Sequence, residues 1–153
     1  MNQYYTCLNF IRESLTGAPF INTITQGTDI IDNVKKNIFP LAHINILNAS
    51  APGQSNTFTF EIAVLDIRNV SKVKSTDKFL GNDNEIDNLN TCHAIINYAL
   101  TKMQLSRNEH DIEVENISDL SPLLMDFTNM LDGWKCEITL SIPNNEMMVC
   151  CED

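Results

Sequence analysis

A chain of 153 residues has the length of one ordinary domain, so a single hydrophobic core serving residues 1–153 is expected. A composition of 43% hydrophobic and 20% charged residues, with five Gly and five Pro, excludes the disordered and fibrous classes. The net charge of −10 repels phosphate backbones, which argues against a conventional nucleic-acid-binding module but not against a protein that encircles DNA without gripping it.

The charge is unevenly placed. Residues 1–80 carry seven Lys/Arg against six Asp/Glu, whereas residues 81–153 carry three against fourteen. The five cysteines, Cys7, Cys92, Cys136, Cys150 and Cys151, lack the paired spacing of a disulfide framework and predict free thiols in a reducing compartment. No run approaches the ~20 apolar residues of a membrane helix, and the opening MNQYYTCLNFIRESL lacks the basic-then-apolar order of a secretory signal. These features predict a soluble cytoplasmic protein with no membrane partner.

In chain order, Tyr4, Leu8, Ile11 and Leu15 recur at helical spacing, and Gly17-Ala18-Pro19 stops the helix. Phe20–Thr25 is a short β-prone run, Gln26–Asp29 a turn, and Asp29–Asn37 a short helix or irregular link ending before Pro40. Leu41–Leu47 alternates, with Ala42, Ile44 and Ile46 on one face; Thr57–Ile67 alternates likewise, with Phe58, Phe60, Ile62 and Val64 together. A hairpin across the polar segment Asn48–Asn56 follows from the pair.

Asn69–Asn84 is a long exposed loop by composition. Beyond it Ile86, Leu89, His93, Ile96, Leu100 and Met103 mark an amphipathic helix, with Asp83 or Asn84 as its cap. Asp111–Asn116 and Trp134–Ile142 alternate as half-buried strands, and Ser118–Asp132 between them reads as a short helix or packed irregular connection. Residues 144–153 form a polar, mobile end. The expected fold is therefore α+β, in the order α-β-β-α-β-β, with an antiparallel sheet of about four strands packed on one face by two helices.

Candidate chemistry is sparse. His43, His93 and His110 lie at no metal-ligand spacing and read as surface or packing residues. Cys92 precedes His93, but neighbours on a helix diverge by about 100° and do not form a catalytic pair. The Cys150-Cys151 pair lacks the intervening residues of CxxC. GxSxG, GxGxxG, GxxxxGK[ST] and HExxH are all missing, so no catalytic residue, metal or cofactor is assigned.

Glu109, Asp111, Glu113 and Glu115 share one face of a strand. They read as a solvated edge, as the acidic lining of a channel, or less readily as a divalent-cation site, which needs loop or carbonyl oxygens as well. Candidate interface residues are Asn48 and Gln54 in the hairpin tip and Arg68, Lys72, Lys74 and Lys78 in the basic loop. A basic first half can meet the acidic second half of a neighbour, a head-to-tail contact that generates rings.

The strands FPLAHINIL and FTFEIAVLDI, the helix NEIDNLNTCHAIINYAL and the segment LMDFTNMLDGWKCEITLSI together resemble small virion proteins of tailed bacteriophages, namely tail terminator, tail completion and head-to-tail connector subunits. The likeness spans about residues 1–142 and is clearest in F-x-F-x-I-x-V-L-D and in Asn129, Leu131, Gly133, Trp134, Ile138 and Leu140. It implies a non-enzymatic homo-oligomeric ring at the portal-to-tail junction or tail end. Portal, connector and tail-tube proteins would be its partners and DNA the passing cargo, with assembly in the bacterial host cytoplasm. Two other readings stay open: a small cytoplasmic ligand-binding or regulatory domain, and a metal-dependent hydrolase using Asp111, Glu113 and Glu115.

Overall fold

The computed structural model describes residues 2–27, 39–69, 83–106, 111–126 and 130–144. Its elements are α1 (Gln3–Thr16), β1 (Thr23–Gln26), β2 (Leu41–Ala49), β3 (Ser55–Ile67), α2 (Glu85–Leu105), β4 (Glu113–Ile117), β5 (Ser121–Asp126) and β6 (Leu131–Pro143). The α+β class expected from the periodicities is correct, but the sheet is larger and mixed. Among the described residues the sheet has six strands: five run in the order β1-β2-β3-β6-β4, and β5 pairs with β6.

The spine is the antiparallel pair β3–β6, in register from Ser55 opposite Pro143 to Ile67 opposite Leu131. Alternation puts Phe60, Ile62 and Val64 of β3 on the same face as Cys136, Ile138 and Leu140 of β6, and all six are buried. Both helices cover this face. Helix α1 contributes Cys7, Phe10, Ile11 and Leu15, and α2 contributes Cys92, Ile95, Ile96, Ala99, Leu100 and Met103.

The buried stripe of α2 is rotated from the expected one. Ile96, Leu100 and Met103 lie inside, but Ile86 and His93 face outward, because the first turns present Asn88 and Cys92 to the sheet instead. At the outer end of the core, Tyr4 stacks on Phe60 at a centroid distance of 5.9 Å and meets Phe58 edge-on at 5.8 Å. Aromatic rings thereby seal the gap between α1 and the sheet.

Four expectations about the sheet need correction. The connection read as a helix or irregular stretch over Ser118–Asp132 contains β5, and β6 starts already at Leu131. Strands β4 and β5 occupy successive halves of the same edge of β6, β4 along residues 138–141 and β5 along 131–135, so they act as one interrupted edge strand. The interruption stays hydrogen-bonded: Ser118 donates its backbone N–H to the Glu137 carbonyl at 2.9 Å and its Oγ accepts the Glu137 N–H at 2.8 Å. Pro122 is tolerated in β5 because an edge strand needs no donor on its outer side.

The run expected before the first turn does form β1, but it lies parallel to β2, with Thr23 opposite Leu41. The hairpin is also longer than expected, since β2 and β3 extend into the polar segment and leave Ser50–Gln54 as the tip.

The second face of the sheet is also not bare throughout. Ala63, Leu65, Leu123 and Leu131 form a smaller buried cluster there, with Phe39 and Ile67 packed against it. One-sided cover, the economical expectation, therefore holds only for the half of the sheet nearest the hairpin tip. Asn144, expected to open a mobile end, is tied down: its N–H donates to the Gln54 carbonyl and its Nδ2 to the Gly53 carbonyl. The segment expected to link 29–37, and Cys150 and Cys151, lie outside the described residues.

Gly133 marks a close approach of the two backbones in the spine. A Cβ there would lie 1.8 Å from the Val64 carbonyl oxygen and 3.0 Å from the Leu65 Cα, both backbone atoms that cannot rotate away. Gly133→Ala is expected to destabilise the fold by about 3 kcal/mol, the upper end of ordinary overpacking, read as a lowered urea midpoint with unchanged slope.

Candidate functional site

Two places concentrate polar chemistry, the junction where β3 ends and α2 begins, and the open half of the second sheet face. At the junction, β3 runs on to Arg68, whose side chain folds inward. Its Nε donates to Asp132 Oδ2 at 2.8 Å and its Nη2 to Asp132 Oδ1 at 2.8 Å and to Glu85 Oε2 at 2.9 Å. Asp132 is fully buried and Arg68 only 8% exposed. Arg68 is therefore not a protruding interface residue as expected, because its guanidinium is the counter-ion of a buried carboxylate. Hydrogen bonding by Asp132, reinforced by the charges of Asp132 and Glu85 and opposed by burial, holds the guanidinium still more firmly protonated.

Two asparagines of α2 complete this clasp. Asn88 Nδ2 donates to Asp132 Oδ2 at 3.2 Å and to the Ile67 carbonyl at 3.0 Å. Asn84 stands at the N-cap position but makes no capping bond. Instead its Nδ2 donates to the Ile67 carbonyl and to Asn88 Oδ1, and its Oδ1 accepts the Asn69 N–H at 2.8 Å. Asn69 and Asn84 flank the segment expected to be the basic loop, and this bond holds the two together. Lys72, Lys74 and Lys78 themselves lie outside the described residues.

Asp66, across the ladder from Asp132, has its carboxyl pushed above the usual value of 3.8 by burial, with the Ile67 N–H opposing and the Asp132 charge adding to the shift. The three described thiols are inert at neutral pH. Burial raises Cys7 to about 11 and Cys136 to about 12, and it raises Cys92 beside His93, where Asp66 and Asp132 add to the effect. Among the described residues, no group of three or more His, Cys, Asp or Glu is placed to hold a metal ion.

Of the two readings expected for the histidines, His43 is the packing one. It is buried, its Nε2 lies 2.6 Å from the Gly27 carbonyl and its Nδ1 2.7 Å from Thr25 Oγ1. A carbonyl only accepts, so Nε2 carries the proton and Nδ1 accepts the threonine hydroxyl. Burial lowers its pKa, against the Gly27 hydrogen bond and the Glu61 charge, and the neutral ring pins β1 to β2.

No family model and no curated protein sequence matches this chain.

The acidic strand expected from the sequence is only partly assembled. Glu113 and Glu115 lie exposed in β4, and Asp111 is exposed just before it with φ +56°, while Glu109 lies outside the described residues. Val114 pairs with Leu140 and Asn116 with Thr139, so Glu115 is the extra residue of a bulge and has no opposite residue in β6.

Sequence reasoning missed two other carboxylates. Glu61 stands directly opposite Glu137, one row from the Lys135–Ala63 pair, and Glu113 stands opposite Ser141. Thr59 and Thr139 face each other with hydroxyls 3.2 Å apart. Glu61, Glu113, Glu137, Thr57, Thr59 and Thr139 therefore share the face that turns away from the helices. Alternation alone places each side chain in or out, but the row it joins depends on pairing between segments distant in sequence.

Removing Arg68 takes the guanidinium away from the buried Asp132 carboxylate. Arg68→Met is expected to cost about 3–5 kcal/mol in urea denaturation, and Arg68→Met with Asp132→Leu together to cost much less than the sum. Asp66 titrates in the opposite sense to a salt-bridged carboxylate. Its folded pKa is raised, so its contribution is complete below the unfolded value and lost as pH rises through the folded one. Asp66→Asn is thus expected to be more stable than the parent at neutral pH, with the difference vanishing on acidification below pH about 4.

Proposed function

We propose that the protein is a non-enzymatic structural subunit of a tailed-phage virion, forming a homo-oligomeric ring at the head-to-tail or tail-end junction. The open acidic half of its sheet would line the lumen through which DNA passes. The observation that carries this reading is the Glu61–Glu137 pair. Like charges directly across a ladder destabilise a sheet, so an isolated monomer is burdened by the pairing. Repulsion between this face and a phosphate backbone gives it a use, because DNA slides past a negative wall rather than sticking to it.

Other features agree with assembly. The hydroxyl-rich rows around Glu61 and Glu137 offer hydrogen bonds to water, and among the described residues of these paired rows Lys135, in the adjoining row, is the cation. Large apolar side chains stand exposed at Tyr5, Phe20, Ile46, Leu47, Tyr98 and Leu105, as contact surfaces in an oligomer require. The clasp at Arg68 fixes Asn69 and Asn84, which flank the lysine-bearing segment. Portal, connector and tail-tube proteins are the partners this role calls for.

Electron microscopy and sedimentation of the purified protein test the proposal. Closed rings are expected, and Glu61→Lys with Glu137→Lys should turn a ring that does not retain duplex DNA into one that does, in a salt-dependent manner. A strictly monomeric protein at high concentration, with no affinity for portal or tail-tube proteins, overturns it.

A further inference from the structure

We propose that His43 is an acid-operated latch: protonation of its buried ring releases the edge strand β1 from β2 and leaves the rest of the sheet in place. The device belongs to a single copy and stands apart from the assembly reading. One imidazole holds β1 at two points, with both ring nitrogens occupied, and this carries the inference.

Strand β1 is fastened at both ends. At its start the Asn22 and Thr23 N–H groups donate to the Pro40 carbonyl at 3.0 and 3.4 Å, and Asn22 Nδ2 donates to the Phe39 carbonyl at 3.4 Å. Just past its end Gly27 donates its N–H to the Ile44 carbonyl at 3.2 Å and offers its own carbonyl to His43 Nε2 at 2.6 Å, with φ +106°, a conformation that favours glycine. Thr25, opposite His43 in the ladder, gives its hydroxyl proton to Nδ1 at 2.7 Å. The first fastening consists of amides and carbonyls, which do not titrate. The second depends on the imidazole.

The neutral ring suits this geometry and the protonated ring does not. An imidazolium donates from both nitrogens, so Nδ1 would aim a proton at the Thr25 hydroxyl, which must reverse and give up its own donation. The surroundings add to the cost. His43 is only 6% exposed on the sheet face that turns away from the helices, and the row beside it holds Leu41 and Leu65, both fully buried. Ala63 stands directly opposite, and Lys135, a second positive charge, follows Ala63 in the same row. Burial outweighs the Gly27 hydrogen bond and the charge of Glu61, the carboxylate paired with Asn45 in the next row. Neither β1 nor the remainder of β2 contributes a titratable side chain.

Opening β1 hydrates the charged ring without breaking the β2–β3 and β3–β6 ladders. Strand β1 has four residues, lies at the edge of the described sheet and pairs with β2. Short edge elements open at a fraction of the global unfolding free energy. Because the folded pKa lies below the ordinary histidine value of 6.5, the latch contributes fully above that value and is lost as pH falls through the folded one. Its release uncovers the backbone of β2 from Leu41 to Ile44, an edge able to pair with another strand.

Hydrogen exchange of the full chain from about pH 5 to about pH 8, corrected for intrinsic amide rates, tests the latch together with an NMR titration of the ring. The ring is expected to titrate below 6.5 from the Nε2–H tautomer. The amides of Thr23–Gly27 should lose protection as pH falls, by up to about tenfold per pH unit, while those of β3 and β6 do not change. His43→Gln, whose amide can replace the Nε2 donor, should hold β1 equally across this range. A ring that titrates at or above 6.5, protection of β1 that is independent of pH in the parent, or the same acid loss in a folded His43→Gln variant overturns the proposal. So does a loss of protection in β3 and β6 equal to that in β1, which would make the ring a determinant of the whole fold. If the variant does not fold, the parent decides: β1 must open in the interval between the ring's measured pKa and 6.5, and opening outside that interval overturns the latch.

Discussion

The β3–β6 ladder is the constraint on which the remaining structure depends. Its unbroken register from Ser55–Pro143 to Ile67–Leu131 joins segments some eighty residues apart and decides every row of side chains on both sheet faces. The helices rest on one side of it, the interrupted strand β4–β5 lines its outer edge, and β2 its inner one. At Gly133 the β3 backbone leaves no room for a side chain, which explains why glycine stands within a strand otherwise rich in packing residues.

The ends of this ladder have opposite characters. At the Ile67–Leu131 end, apolar residues bury the second face and a bidentate Arg68–Asp132 pair, joined by Glu85, Asn84 and Asn88, locks α2 to the sheet. A buried ion pair is a weak source of net stability but a strong source of specificity, since any other register would strand a charge in the interior. At the Ser55–Pro143 end the second face is open, acidic and hydroxyl-rich, and the hairpin projects beyond the core. A rigid, closed end and an open, projecting end suit a subunit that contacts neighbours, and the functional proposal draws its support from this division.

Much of the local structure is readable from residue order. The helix from Glu85, the alternation of Leu41–Leu47 and Thr57–Ile67, and the stop at Gly17 all come from periodicity and from backbone preferences that act within a few residues. The strand β5 escapes this reading because SPLLMD has neither clean alternation nor β-branched residues; its edge position supplies the pairing that its sequence does not advertise. For the same reason Arg68 looked like part of an exposed basic loop. Its partner Asp132 lies sixty-four residues away, and only the ladder brings the two together.

The sequence by itself determined the class, the separation of helical from extended segments and the acidic second half, because each is a property of neighbouring residues. Tertiary structure alone decided the parallel pairing of β1, the shared edge of β4 and β5, the burial of Arg68 and the placing of Glu61 against Glu137. Those outcomes depend on which distant strands pair and in which register. A shift of one residue would turn every side chain to the opposite face, so the choice belongs to the packed whole rather than to any segment of it.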